Sequence, residues 1–418
     1  MTLKQQQEQN DHKAKAQQIE LELNAILEIT QAINNNVPEE SLYMMYKFTL
    51  RGNLNISRMA LYVLDEIWEC KVHFGTKQDI STNLEDLESL KDIKDITSVK
   101  EINFQNEAFQ QFDLVIPVLH KNRILSYVFV SQYQAGRELY KEEIDNRFVQ
   151  ALSNIILVAI ENKKLVRRQI SQEAYKKEME IAQKVQSHLF PRKLPNTDKL
   201  KVKATYFPHD LIGGDYYDYI SIDEDKFLIC IADVSGKGIP AALLMSNFQA
   251  SLRTLIRQTE NLEQIVEELN YSIYQNAQGD HFITFLIALY DEKAKTLQYI
   301  NAGHSPAYFY DYQQKKSSLL NKGTTVLGIF SPLPFLEKTI ISNLNGFFLF
   351  AYTDGVTEIE NPDEEQFGLE RLIPFLESRR KKELSEIHGN LITRINNFKK
   401  GQKYTDDITL LSCRIDPK

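Results

Sequence analysis

Residues 227–245 read FLICIADVSGKGIPAALLM, and the order of residue types in this stretch sets the architecture of the C-terminal half. Lys226–Ala232 is an apolar run of strand length, Asp233 stands at its end, Gly236 and Gly238 punctuate a short loop, and a helix is expected over Pro240–Gln258. The same pattern continues on both sides. Tyr216–Ile222 faces Lys226–Ala232 across Asp223-Glu224-Asp225, Phe282–Tyr290 faces Thr296–Ile300 across Asp291–Lys295, and Ala307–Tyr312 faces Ser317–Leu320 across Gln313–Lys316. Phe347–Tyr352 and Ile408–Ile415 are further strands, and Leu262–Asn276, Gly368–Glu377 and Leu384–Phe398 are further helices. Antiparallel pairs separated by long helices predict a sandwich sheathed by helices.

The rest of the chain bounds this reading. With 418 residues, 43% hydrophobic and 25% charged, the sequence is too long for one ordinary domain and can bury a sizeable core. Its 16 glycines and 12 prolines make up about 7% of the chain, against roughly 12% on average, which favours continuous helices over long linkers. All but Gly52, Gly75 and Gly136 of those glycines follow residue 200, so loop-borne chemistry is expected there. A net charge of −8 and a pI near 5.6 disfavour nucleic acid as a partner. Cys70, Cys230 and Cys413 form no CxxC, which excludes a zinc ribbon or a disulfide framework. No apolar run reaches bilayer length and the first residues lack a signal-peptide core, so a cytoplasmic protein without a membrane span is expected.

N-terminally, residues 4–35 read as one helix in which Ile19, Leu23, Ile26 and Ile33 follow an a/d spacing, Thr30 filling the missing step. This is either a dimer seam or the inner face of a surface helix. Ser41–Gly52 reads as an amphipathic helix, Met59–Trp68 and Lys71–Gly75 as paired strands, Asp113–His120 and Arg123–Gln132 as a hairpin around Lys121-Asn122, and Glu142–Leu165 as the start of a helix. A strand-rich core between helices, with FDLVIPVLHKNRILSYVFVSQ and VAIENKKL, resembles a GAF domain over about 140 residues. Trp68, Tyr62, His73 and Phe129 either leave a ligand pocket there or fill it. No Gly or Pro interrupts Glu161–Ser187, and Ala174, Ile181, Val185 and Leu189 keep an apolar stripe, so a helical rod is expected between domains. The expected layout is an N-terminal helix over 1–36, a GAF-like sensor over 37–165, a helical linker over 166–194 and the sandwich domain over 195–418.

Four acidic positions share the context of Asp233: Asp215 in LIGGDYYDY, Asp233 itself, Asp354 in FFLFAYTDGV, and the pair Asp406-Asp407 in YTDDITLL. One such aspartate is usually a turn former or a helix cap. Several in one domain repel one another unless a cation compensates them. All-oxygen ligation without Cys or organised His suits Mg²⁺ or Mn²⁺. Gly213, Gly214, Gly236 and Gly238 allow close approach of the main chain, and Lys237 lies in that loop. SGKG is only a fragment of a Walker motif, so a P-loop is excluded.

GGDYYDY, ADVSGKGIPAALLMS, FITFLIALYD, INAGHSPA, VLGIF, YTDGVTE and DDITLL together resemble the SpoIIE/RsbU-like branch of the metal-dependent (PPM, type 2C) serine/threonine phosphatases over about 240 residues. EMEIAQKVQSHLFP is similar to the helical segment before that domain. The resemblance implies an αββα β-sandwich with two Mn²⁺ or Mg²⁺ ions at one end. Asp233 would bridge both ions, the Val234 carbonyl would bind one, and Asp215, Asp354 and Asp406 would complete the site. Asp215 and Asp233 are the catalytic candidates, and Gly214, Gly236 and Lys237 form the candidate substrate loop. Of the adjacent pair, the family pattern places the ligand at Asp406, and Asp407 is expected to orient a loop through backbone N–H groups. Strand alternation by itself leaves both faces apolar and does not decide between the two. The family often has His at the position of Lys237 and Ser at that of Thr353. Divalent ions lower the pKa of water and orient a phosphate, so no side-chain nucleophile is required.

The sequence thus reads as an α+β multidomain phosphoserine/phosphothreonine phosphatase, regulated through its GAF-like domain by an unidentified ligand or partner. Its implied substrate is a phosphorylated regulator of the anti-sigma-factor-antagonist type, and a homodimer through residues 10–35 and 148–190 is expected. The alternative is a non-catalytic sensor whose phosphatase-like domain only docks a partner. A metal phosphodiesterase would call for His-Asp clusters, which the sequence lacks. His304 reads as a loop-ordering residue, with general acid as the alternative, His209 and His281 are unplaced, Tyr216 and Tyr217 read as core or rim, and Phe207 and Phe248 as core.

Overall fold

The computed structural model describes residues 3–53, 56–76, 80, 85–88, 90–120, 123–132, 146–277 and 279–417. The chain divides into two compact units, Met1–Glu173 and Ala174–Lys418.

In the first unit, α1 (Leu3–Asn34) and α2 (Glu39–Asn53) precede β1 (Ile56–Leu64), β2 (Trp68–Phe74), a single turn α3 (Glu85–Glu88), β3 (Thr97–Ser98), β4 (Leu114–His120), β5 (Arg123–Gln132) and the first part of α4 (Asn146–Gln186). The strands form one antiparallel sheet in the order β2-β1-β5-β4-β3. Successive side chains of a strand point to opposite faces, so Leu61 packs under α1, α2 and α4 while Tyr62 joins an aromatic cluster on the other face. In that cluster the Phe109 and Phe129 rings lie 4.9 Å apart and Trp68 stacks on Tyr127 at 5.2 Å. Tyr62, Trp68 and Phe129 therefore fill this face, whereas His73 is exposed.

Three expectations change here. Asp65–Ile67 forms a turn, with the Asp65 N–H donating to the Ile67 carbonyl, so β1 ends at Leu64 and Trp68 opens β2. The buried stripe of α1 is Ala25, Ile29 and Ala32, flanked by Ile26 and Ile33, while Ile19 and Leu23 are 59% and 55% exposed. Phe148, Leu152, Ile156 and Ile160 of α4 are likewise occupied within the unit, so its exposed apolar residues begin at Leu165. The expected turn Lys121-Asn122 and residues 142–145 lie outside the described residues.

The second unit contains β6 (Leu200–Phe207), β7 (Tyr216–Ser221), β8 (Lys226–Val234), α5 (Gly238–Ile256), α6 (Leu262–Ala277), β9 (Ile283–Asp291), β10 (Thr296–Ala302), β11 (Ala307–Asp311), β12 (Lys316–Leu320), β13 (Gly323–Thr324), β14 (Thr339–Ile341), β15 (Phe347–Tyr352), α7 (Gly368–Arg379), α8 (Leu384–Lys399) and β16 (Ile408–Ile415). One sheet runs β13-β10-β9-β8-β7 with β14 on β10, the other β12-β11-β15-β16-β6. Ile231 and Leu286 meet Phe309, Leu349 and Leu411 between the sheets. Met245, Phe248 and Leu269 of α5 and α6 cover the outer face of the first sheet, and Leu376 and Leu391 of α7 and α8 cover the second. The layers are thus αββα.

The hairpin reading passes over β6, an edge strand, and Phe207 at its end is 41% exposed instead of belonging to the core. Among the described residues no helix is long and apolar enough to cross a membrane.

Candidate functional site

The start of β7, the end of β8, the end of β15 and the start of β16 meet at one end of the sandwich. Antiparallel registers place Tyr216 opposite Ala232 and Tyr352 opposite Leu410, and side-chain hydrogen bonds join the two sheets there. Asp215 precedes β7 and is 1% exposed. Its Oδ2 accepts from the Thr353 hydroxyl at 2.9 Å and from the Thr409 hydroxyl, while Thr353 Oγ1 accepts the Thr409 N–H at 2.9 Å. Burial, then Asp233 and Asp407, push the Asp215 carboxyl well above its ordinary pKa. Asp233, at the end of β8, has the Asp215 side chain within hydrogen-bonding reach, and burial followed by Asp354 and Asp406 raises its pKa to about 7. Asp354 opens a 3-10 turn after β15, and its pKa is raised by burial, Glu358 and Asp406.

Asp407 takes another role. Its Oδ1 accepts the His209 N–H at 2.7 Å, and its Oδ2 accepts the N–H groups of Gly214 at 2.9 Å and Asp215 at 3.4 Å. These are the backbone bonds expected of it. They explain Gly213, where a Cβ would lie 2.0 Å from Asp407 Oδ2 and 2.2 Å from Tyr206 Oη. Asp406 and Asp407 occupy a bend before β16, so strand alternation does not govern them and the two carboxylates find different neighbours. Asp406 is half-exposed, accepts the Asp407 N–H through Oδ1 at 2.8 Å, and pairs through Oδ2 with Lys237 Nζ at 2.9 Å. Lys237 also donates to the Thr405 carbonyl, which ties the SGKG loop to the DDITLL loop.

Of the remaining candidates, Gly214 packs against the Val234 carbonyl, 2.9 Å from where its Cβ would stand, and Gly236 adopts a φ of +90° beside the His281 ring. His209 contributes its backbone N–H. His304 is buried, with Nδ1 2.7 Å from the Thr284 hydroxyl and its own N–H donating to Asn301 Oδ1, and burial lowers its pKa to about 4. Tyr216 donates to the buried Asp218, which is held by Arg253 at 2.8 Å, away from the carboxylate cluster. Thr353 and Thr409, which orient Asp215, were legible only as the hydroxyl residues flanking Asp354 and Asp406-Asp407.

The donor set is therefore all oxygen: buried and half-buried carboxylates that raise one another's pKa and a main-chain carbonyl among glycines, with the Lys237 ammonium paired to Asp406 at the rim. That chemistry fits divalent cations. Among the described residues no three His, Cys, Asp or Glu side chains already stand together in a group that could hold a metal ion.

Residues 223–416 match the family described as stage II sporulation protein E (SpoIIE). The phosphoserine phosphatase RsbU of Bacillus subtilis (strain 168) is 32% identical over 247 residues, 58% of this chain and 71% of that protein. The phosphoserine phosphatase RsbP of the same organism is 27% identical over 236 residues, 56% of each chain. Among solved structures, the SiaA-PP2C domain of Pseudomonas aeruginosa shares the fold with a TM-score of 0.53 at 20% identity, covering 59% of this chain and 99% of that domain.

Proposed function

The chain belongs to the SpoIIE/RsbU-like family of PPM phosphatases, and on that premise we propose that it hydrolyses phosphoserine or phosphothreonine on a signalling protein, of the anti-sigma-factor-antagonist type. The observation that carries this reading is Asp215, buried beside Asp233 on a glycine loop and oriented by two threonine hydroxyls from the opposite sheet. The family is metal-dependent. We assign two Mn²⁺ or Mg²⁺ ions to Asp215, Asp233, the Val234 carbonyl, Asp354 and Asp406. When bound, such ions supply Lewis acidity toward phosphoryl oxygens and a lowered pKa for water.

The protein's own contribution is placement. Thr353 and Thr409 hold one oxygen of Asp215, whose side chain lies within hydrogen-bonding reach of Asp233. Asp407 fixes the loop beneath it, and Gly236 and Lys237 form the exposed rim over which a phosphoprotein loop would enter. Around this site we assign the helix of residues 1–36, a GAF-like sensor over 37–165, a helical linker over 166–194 that carries its signal, and a homodimer. The supports are a sheet with helices on one face, an α4 without Gly or Pro, and exposed apolar stripes on α1 and α4.

The decisive experiment is phosphate release from a phosphoserine protein and from p-nitrophenyl phosphate. Release is expected with Mn²⁺, lost in EDTA and lost in Asp233→Asn. Asp406→Asn should demand more Mn²⁺, while Asp407→Asn should chiefly destabilise the fold. Turnover in EDTA, or in Asp233→Asn, refutes the reading. Specific binding of a phosphoprotein with no turnover under any metal would favour the docking alternative.

A further inference from the structure

We infer that Gln186, the last residue of α4, is a positioning residue for the carboxylate site, acting through the peptide planes of Gly213. The inference rests on the phosphatase reading and deepens it, by naming the residue through which α4 reaches the metal ligands.

Gln186 Nε2 donates to the Gly213 carbonyl at 2.8 Å, and Gln186 Oε1 accepts the Gly213 N–H at 3.3 Å. A primary amide that meets both backbone groups of one residue fixes position and orientation together, and here it does so while buried. Gly213 has no slack on its other side, where Asp407 Oδ2 and Tyr206 Oη occupy the space a Cβ would need. The next two N–H groups, of Gly214 and Asp215, both point at Asp407 Oδ2. Gly213 is therefore clamped between Gln186 and Asp407, and Asp215 follows two residues later through planar peptides.

The end of the helix is itself anchored. The Gln249 amide donates to the Leu189 carbonyl at 3.3 Å, and the Phe190 ring lies 5.1 Å from that of Tyr206 and 5.0 Å from that of Tyr217. Since α4 begins at Asn146 in the first unit and contains no Gly or Pro, Gln186 is where one continuous helix meets the site loop. A change in the register or order of the end of α4 would be felt first as the loss of this two-point bond, and then as misplacement of Asp215.

The test uses the full chain with Gln186→Met, which keeps the volume and removes both hydrogen bonds, Gln186→Glu, which keeps only the acceptor, and Lys184→Ala on the same turn as a control. Three quantities are measured: Mn²⁺ binding by titration calorimetry, amide exchange of residues 209–217 in EDTA, and thermal unfolding. Both Gln186 variants are expected to bind Mn²⁺ about tenfold more weakly and to exchange faster over 209–217, with a melting temperature within about 3 °C of wild type. kcat should recover at saturating Mn²⁺, and Lys184→Ala should match wild type throughout. Affinity and exchange within twofold of wild type in both variants overturn the inference, as does an exchange increase spread evenly over the chain. If the wild type neither binds Mn²⁺ nor releases phosphate, the phosphatase reading falls, and exchange of 209–217 in EDTA still decides the role of Gln186.

Discussion

Asp215 and Asp233 show what a carboxylate cluster costs before any cation reaches it. Two threonine hydroxyls lower the pKa of Asp215, yet burial and the neighbouring carboxylates win. For Asp233 the balance stands at about 7, above the ordinary aspartate value, so in metal-free protein at neutral pH its charged form opposes folding. Between the unfolded and folded pKa values the native state holds more protons, and stability falls as pH rises. In EDTA the melting temperature of the second unit should therefore drop by a few degrees from pH 5 to pH 8, and Mn²⁺ at pH 8 should reverse the drop. Asp233→Asn removes one of the opposing charges, and its metal-free melting curve should depend less on pH. A wild-type melting temperature that rises over this range in EDTA would contradict the electrostatic account.

At the scale of elements, the site is made where strands end. The 3-10 turn after β15 must pass directly over the bend before β16, and Gly355 permits it: a Cβ there would meet the Asp407 carbonyl oxygen at 2.0 Å. A backbone atom cannot move aside as a side chain can. Gly355→Ala should cost about 3 kcal/mol and reduce Mn²⁺ binding with it. Gly389 lies inside α8 with nothing within 4 Å of its Cβ position, so Gly389→Ala should gain about 0.5–1 kcal/mol and leave activity alone. Thermal unfolding of the two variants checks the contrast. Equal shifts would mean that helix propensity and close approach have been wrongly separated.

At the scale of the whole molecule, apolar stripes stand exposed on α1 and α4. Ile19, Leu23 and Leu27 of α1 are 50% or more exposed at four-residue spacing, and Ile170, Ile181 and Val185 of α4 are exposed as well. In the proposed homodimer a second copy of the chain would cover both stripes by symmetry, and a dimer mass is expected by light scattering at micromolar concentration. Leu23→Glu combined with Leu27→Glu should halve that mass without lowering the melting temperature, because neither residue packs in its own unit. A monomeric wild type would refute the assembly.

Period-two and period-3.6 patterning made most of the second unit legible in the sequence. β8, α5, β9 and β15 lie within about two residues of their expected ends, and the aspartates at strand ends marked the site. Local order of this kind is written in neighbouring residues. β6 escaped because LKVKATYF is an edge strand with lysines on its outer face, and no turn signal pairs it with a sequential neighbour. Nor could spacing show which stripe of α1 is buried, since Ile19, Leu23, Ile26 and Ile33 look equivalent until Ile29 is seated on the sheet. The particular backbone groups that Asp407 binds, the threonine pair under Asp215 and the Gln186 clamp join residues up to 198 positions apart. Only tertiary structure decides such contacts, because a hydrogen bond depends on where two distant segments are brought together, and neither segment carries that information alone.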